Sequence, residues 1–257
     1  MTQREPIKSI FHNYFRVTPA DTKDLIKEVY KIRHQVYCEE LEFEERRKNH
    51  LEFDEHDLHS IHCLLYHTPS QSYAGCIRLI LCENADPASA FPFEKVCGNP
   101  YLGDFNELTN KPRTCHGEIS RLAITSNFRR RRGEANLADG NDPENISTDN
   151  AKDKRHFPSV GLGLYLAITA MGLKLGLDGV FAMMEPKLAR QLRRFGFFFT
   201  QVGEATEHRG MRAPFFISRE ALFNNLKPEY LDLLNDMQES IQPIEALIKN
   251  PKTIHMK

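Results

Sequence analysis

Apolar positions recur at helical spacing from Thr18 to about Glu42, where Leu25, Ile26, Val29, Ile32, Val36 and Tyr37 share one face. Thr18 or Asp21 can cap the start of that helix. A charged loop runs from Glu44 to Asp57. Ile61 to Tyr66 and Tyr73 to Leu81 then read as two strands joined at Thr68-Pro69-Ser70, an antiparallel hairpin. Pro87 to Pro112 is a connector punctuated by proline and glycine, with room for a short helix near Phe93 to Val96. Glu118 to Thr125 is the next strand.

After the polar stretch 133–158 the apolar pattern resumes. Val160 to Leu175 predicts a buried helix with small residues for close packing, closed by Gly176. Gly179 to Met184 is an apolar strand, and Pro186 opens a basic amphipathic helix to Phe195 that Gly196 ends. Phe197 to Val202 and Pro214 to Ile217 predict a last pair of strands. Two helices follow, near 219–225 and from Pro228 to about Lys249; Leu231, Leu234, Met237, Ile241, Ile244 and Ile248 give the longer one an apolar face. This order of elements predicts an α+β fold with a mixed sheet.

Composition narrows the class. The chain has 257 residues, 40% of them hydrophobic and 27% charged, which fits a soluble globular protein. We expect a single domain, 1–257, with a helical extension at 219–250. Residues 133–158 are polar and almost without large apolar side chains, so they predict a flexible insertion. A formal net charge of −1 offers no global field for nucleic acid or an anionic membrane. The N-terminus lacks the apolar core of a signal peptide, and no apolar run approaches the length of a transmembrane segment. The six scattered cysteines include no CxxC pair and read as small buried hydrophobes in a reducing cytoplasm.

Charge inside apolar frames carries the chemistry. Arg33 lies in the first helix; Glu52, Asp54 and Asp57 lie in the charged loop; Arg78 sits in AGCIRLIL; Glu118 and Arg121 sit in GEISRLAIT. Such charges are costly to bury unless paired, solvated or used. Together they predict one shared cleft.

Their order resembles the acyl-homoserine-lactone synthases of the GNAT-fold acyltransferases. That pattern is an arginine in the first helix, Glu52-x-Asp54-x-x-Asp57, Arg78 after Gly75, and Glu118-x-x-Arg121. The segments IRHQVYCEELEFE, FRRRR, GLYLAITAMG, MMEPKLARQLRRFGFFFTQVG and HRGMRAPFFIS resemble more specifically the acyltransferases associated with PEP-CTERM/exosortase systems. The resemblance implies a GNAT-like fold, with a central, largely antiparallel mixed sheet flanked by helices. It implies transfer of a fatty acyl group from a thioester of acyl carrier protein or coenzyme A to a small amine, preferably an amino acid as in N-acyl amino acid synthases. A homoserine-lactone autoinducer synthase using S-adenosylmethionine is one alternative; a non-catalytic acyl-carrier or lipid-binding partner is another. Where the synthases have a tryptophan after the first helix this chain has Phe43, and it contains no Trp.

The same resemblance implies roles. Glu118 is the base and Arg121 its catalytic neighbour, with strand amides as oxyanion donors. Arg33, Glu52, Asp54, Asp57 and Arg78 bind or frame the acceptor. Arg129, Arg130 and Arg131 with Gly161 and Gly163 resemble the separated halves of a donor-phosphate loop or meet a carrier protein; Arg190, Arg193 and Arg194 extend that basic patch. A loop so divided favours carrier-borne phosphopantetheine over coenzyme A. Leu122 and Met183 line the acyl pocket. No tightly bound cofactor and no metal are expected, since the spacing of His56, His59 and His62 scatters them over different faces. Phe195, Phe197, Phe198 and Phe199 read first as core.

Overall fold

The computed structural model describes residues 5–82, 90–97, 111–129 and 160–241. The insertion expected at 133–158 and the last helix beyond 241 lie outside the described residues. The chain opens with α1 (Ile7–Tyr14) and β1 (Phe15–Pro19), then α2 (Lys23–Arg33), whose last turn loosens into a π-helical segment, His34–Glu40. A 3₁₀ turn, Glu55–His59, leads into the hairpin β2 (Ser60–His67) and β3 (Ser72–Leu81). There follow α3 (Pro92–Val96), β4 (His116–Ile124), α4 (Val160–Lys174), β5 (Gly179–Met184) and α5 (Pro186–Arg193). Short strands β6 (Thr200–Gln201) and β7 (Thr206–Glu207) precede β8 (Met211–Ser218), α6 (Arg219–Asn225) and α7 (Pro228–Ser240).

The sheet runs β1-β2-β3-β4-β5-β8-β6, with β7 also on β8. Every pairing is antiparallel except β4 with β5. This is the mixed sheet that the sequence predicts, largely antiparallel and flanked by helices as the resemblance implies. One face carries Ile61, Cys63, Ile77, Leu79, Ile119 and Ala182, and packs against the buried residues of α1, α4 and α7 in the main core. The α4 helix is apolar almost all round because the sheet covers one side and α7 another. The opposite face carries Leu64, Cys76 and Ala123 beneath α2, and Phe181 and Phe216 beneath Phe91 and Phe93 of the α3 region.

Three expectations change. The first helix starts at Lys23, capped by Thr22, whose Oγ1 accepts the Leu25 N–H at 3.3 Å. Thr18, a candidate cap, is instead a strand residue paired with Leu64, and Pro19 ends that strand opposite Cys63. The helical pattern read from Thr18 onward blends the end of a short strand into the helix that follows it. Second, α1 and β1 lie where no element was expected, because an eight-residue helix running straight into a five-residue strand sustains neither period. Third, only Thr200 and Gln201 of the 197–202 segment pair with β8. Phe197 is buried in the core, with Phe195 and Phe199 packed against it, so that segment is a plug before it is a strand.

Two glycines with positive φ separate conformational from steric demand. At Gly196 (φ +104°) a Cβ would lie 2.2 Å from the Asn225 carbonyl oxygen, whereas at Gly176 (φ +77°) nothing lies within 4 Å. Gly176→Ala should lose roughly 1 kcal/mol, from backbone strain alone. Gly196→Ala should lose roughly 2–4 kcal/mol, because α6 must also move. Thermal unfolding of both variants checks the order; equal losses would contradict the close contact with α6.

Candidate active site

The charged residues converge on the α2 face of the sheet. Arg33, at the end of α2, is fully buried, donates from Nε to Glu52 and from Nη1 to Asp57 Oδ1 at 2.7 Å. Arg78 donates from Nη1 to Asp54 Oδ1 at 2.6 Å and Asp57 Oδ1 at 2.8 Å, and from Nε to Ser120 Oγ at 3.0 Å. The loop is preorganised: Asp57 Oδ2 accepts the Asp54 N–H at 2.7 Å, Asp54 Oδ1 accepts the His56 N–H at 3.0 Å, and the Glu52 N–H donates to the Tyr30 carbonyl at 3.0 Å. Burial drives the Asp57 carboxyl up, but Arg33 and Arg78 outweigh it and hold it well below the usual range. For Glu52 the opposing cations are Arg33 and Arg121, and for Asp54 chiefly Arg78; both stay below the usual range despite burial. His62, buried beside Asp57, is pushed down to about 4 by desolvation and so stays neutral.

Backbone irregularity brings Arg121 into this network. Between Cys76 and Arg78 on β3 there are two steps, whereas their partners Ala123 and Ser120 are three apart on β4. The extra residue is a bulge, with Arg121 at φ +50°, and it turns both Ser120 and Arg121 toward the charged loop. Arg121 Nη2 lies 3.0 Å from Asp54 Oδ2 and 3.2 Å from Glu44 Oε1, and Nε lies 3.4 Å from Glu52 Oε1. Arg209, at the turn before β8, donates to the same Glu44 oxygen.

Exposure divides the set. The side chains of Arg33, Glu52, Asp57 and Arg78 are at most 4% exposed, while those of Asp54, Arg121, Glu44 and Arg209 are 20–25% exposed. The first group is a keystone; the second is a rim that a small molecule can touch.

That rim borders an open cleft of about 530 Å³. β4 and β5 pair only over His116–Ile119 and Gly179–Ala182, then part as Pro186 starts α5 and draws the chain away. Ile119, Ser120, Arg121 and Leu122 form one wall, and Ala182, Met183, Met184 and Glu185 the other. Tyr37, of the cluster beneath α2, and Arg212 line its charged end, and Tyr165 and Leu188, of the main core, line its apolar end. Tyr37 Oη donates to the Leu122 carbonyl at 2.8 Å, and burial pushes the Tyr37 hydroxyl up to about 12.

Glu118, expected to be the base, lies beneath α3. It is on the same strand face as Ser120, 3% exposed, and accepts the Phe93 N–H at 3.1 Å beneath α3. It does not line the cleft. Burial raises its pKa to about 8, against the smaller pull of the Phe93 amide and the arginines. Leu122 and Met183 do line the cleft. Gly161 and Gly163 are buried in α4, and Arg129 is ion-paired with Glu40 and 5% exposed, so its guanidinium braces the π-helical segment. Arg130 and Arg131 lie outside the described residues. Arg190, Arg193 and Arg194 are exposed on α5 and just past its end. Among the described residues, the three groups at metal-ligand spacing are His34, Glu39 and His50. There His34 Nε2 accepts the Arg47 N–H at 3.0 Å, so Nδ1 carries the proton facing Glu39, the wrong tautomer for a Nδ1 ligand.

Sequence reasoning missed Tyr37, Glu44, Tyr165, Glu185, Leu188, Arg209 and Arg212. Tyr37 reads as one more apolar position on a helix face, and the arginines of HRGMR carry no positional signal without the register of β8.

Residues 32–139 match the acetyltransferase (GNAT) domain family. No curated protein sequence matches the chain. Among solved structures it is similar to TofI in a ternary complex with an inhibitor and MTA, with 15% identity, a TM-score of 0.56, and coverage of 84% of this chain and 99% of that one. It is also similar to BjaI, a CoA-dependent acyl-homoserine lactone synthase, with SAM and isopentyl-CoA: 18% identity, TM-score 0.51, 90% and 91% coverage. A third is MesI, another CoA-dependent acyl-homoserine lactone synthase, at 16% identity, TM-score 0.51, 89% and 96% coverage. These likenesses show that the chain has the GNAT fold.

Two stability predictions follow from burial. Arg33→Met should destabilise by roughly 3–5 kcal/mol, because it leaves Glu52 and Asp57 buried without their cation; a loss under about 1 kcal/mol in urea unfolding would contradict the keystone. Glu118 keeps its proton in the native state up to about 8, whereas the unfolded chain loses it near 4.5. Native stability therefore falls with rising pH across that window, and a glutamine, which cannot ionise, escapes the fall. The melting temperature of Glu118→Gln relative to wild type should rise between pH 5 and pH 9; a constant difference would mean that Glu118 does not titrate there.

Proposed function

We propose that the chain is an N-acyltransferase that moves a fatty acyl group from a carrier-protein or CoA thioester to a small amine, preferably an amino acid. The observation that carries this reading is the cleft between the parted strands β4 and β5, charged at one end and apolar at the other. An acyl chain is apolar and an amino acid is doubly charged, so the two substrates fit opposite ends, with the thioester between them.

The reaction forms a C–N bond and breaks a C–S bond. The neutral amine nitrogen attacks the thioester carbonyl, the tetrahedral oxyanion collapses, the donor thiol departs, and the amine's surplus proton goes to a base. Backbone N–H groups of β4 past Ile119 no longer face a β5 partner and are the oxyanion donors of this scheme, at the bulge beside Arg121. Asp54 and Glu44, held by Arg121 on the accessible rim, frame the acceptor as it enters. Arg33, Glu52, Asp57 and Arg78 hold that rim in place. Glu118 takes the proton through water or the Ser120 hydroxyl, two residues along the same strand face. Its pKa, about 8, is suited to exchange with an amine near neutral pH. Leu122 and Met183 flank the acyl chain.

Carrier-borne phosphopantetheine is the favoured donor, because the arginine run and Gly161-x-Gly163 are too far apart in sequence for one compact nucleotide-gripping loop. Cytoplasmic action, with the whole chain as one domain, and service to an exosortase system remain part of the proposal, resting on the sequence segments that resemble those acyltransferases. Among the described residues no helix is long and apolar enough to cross a membrane.

The test supplies palmitoyl and octanoyl thioesters of carrier protein and of CoA with mixed amino acids, and reads N-acyl products by mass spectrometry. Wild type should form an acyl amide at a rate that climbs with pH to a plateau above about 8. Glu118→Gln should lower kcat by roughly 10²–10⁴-fold and flatten that profile. Unchanged product and pH profile in the variant would remove Glu118 from the mechanism; no product from any thioester would remove the acyltransferase reading.

A further inference from the structure

We infer that Glu185 and Arg212 form a subsite for a zwitterion, which makes an α-amino acid, rather than an amine at large, the acceptor. The inference rests on the acyl-transfer reading above and adds the residues that select its substrate. β5 and β8 pair through Met184 and Ala213, and one step further the register sets Glu185 opposite Arg212. Both line the cleft, and both lie on the edge where the strands leave the sheet. Met184 and Ala213 belong to the main core, so the next pair points to the other face, the one that carries Asp54 and Arg121.

Opposite charges facing each other across a strand pair normally meet. These two do not. The Glu185 side chain makes no cap to its own helix, and Arg212 Nε is buried without a hydrogen-bond partner among the described residues. No ion pair within 4 Å joins the two to each other or to any other described side chain, whereas Arg33, Arg78, Arg121 and Arg209 all have carboxylate partners. The cleft thus contains one carboxylate and one guanidinium held apart at its charged end. A ligand with an ammonium and a carboxylate on adjacent atoms completes both: its ammonium meets Glu185 and its carboxylate takes the guanidinium fork. The turn at Gly210 (φ +97°) passes over Glu185, with the Gly210 Cβ position 3.8 Å from Oε1, and Arg209 beside it ties that turn to Glu44.

An amine without a carboxylate leaves Arg212 desolvated and unpaired, which is how a polar site rejects an analogue that lacks one group. A donor phosphate is the competing anion. Arg212 lies on the face opposite α4, whereas Gly161 and Gly163 lie within α4, so we assign Arg212 to the acceptor.

The experiment compares alanine, leucine and phenylalanine, each against its decarboxylated amine, using carrier-protein and CoA thioesters with wild type, Arg212→Gln, Arg212→Lys and Glu185→Gln. Wild type should prefer each amino acid by tenfold or more in kcat/KM. Arg212→Gln should erase most of that preference through the acceptor KM, Arg212→Lys should restore part of it, and Glu185→Gln should raise the acceptor KM for both members of a pair. Circular dichroism and melting confirm that the variants fold. Wild type that accepts the decarboxylated amines equally well overturns the zwitterion subsite while leaving acyl transfer standing. A larger rise in donor KM than in acceptor KM for Arg212→Gln overturns it in favour of a donor phosphate. No turnover of any amine overturns the reading on which it rests.

Discussion

The buried guanidinium of Arg33 is the interaction on which the rest of the site depends. It lies at the end of α2, where the helix widens into a π-helical segment, and bonds Glu52 and Asp57 of the loop that follows. Asp57 in turn bonds Arg78 on the sheet, so two cations and two anions clamp helix, loop and strand together. Burying four such charges costs a great deal of solvation, which only their mutual neutralisation offsets. A hydrophobic set of the same volume would hold the elements as firmly. It would not hold the rim charges of Asp54 and Arg121 at fixed places beside the cleft. Charge in the keystone is what lets the rim be charged.

The cleft itself follows from topology. An antiparallel sheet closes each strand against the next, but β4 and β5 are parallel neighbours and pair over only four residues apiece. Beyond them the bulge at Arg121 bends β4 one way, and the proline at the start of α5 takes β5 the other. Backbone groups that would otherwise complete a ladder face the gap instead. The one parallel joint in the sheet is thus the place where substrate can reach strand amides.

Much of this was legible in the sequence, and the reason is energetic. Arg33, Arg78 and Arg121 stand in apolar frames where an unpaired charge is prohibitive, so their convergence could be expected before any geometry was known. Element order, the hairpin and the sheet's mixed character were equally readable from periodicity. Thr18 and Asp21 as caps were not, because a strand feeding directly into a helix leaves no break in the apolar pattern. The position of Glu118 beneath α3 could not be read either, since burial by a five-residue helix depends on Phe91 and Phe93 meeting Phe181 and Phe216 far along the chain. Glu185 and Arg212 were invisible for a related reason. Their opposition is a matter of register between β5 and β8, and sequence position alone does not fix register.

Charge bookkeeping joins these findings. Four arginines, at 33, 78, 121 and 209, and four carboxylates, at 44, 52, 54 and 57, form a neutral, mutually ion-paired set. A set that closes on itself exerts little net pull on a ligand, so it can shape a site without choosing what enters. Choice falls to groups outside the set. Glu118, kept protonated by burial, adds no charge at rest. Glu185 and Arg212 add one of each sign, apart from each other and facing the same cleft. A zwitterion leaves the total charge as it was and satisfies both, whereas a simple amine satisfies one and leaves the other desolvated. In the proposed reading, selectivity is then a consequence of neutrality: the network is balanced already, and a ligand that is itself balanced joins it at least cost.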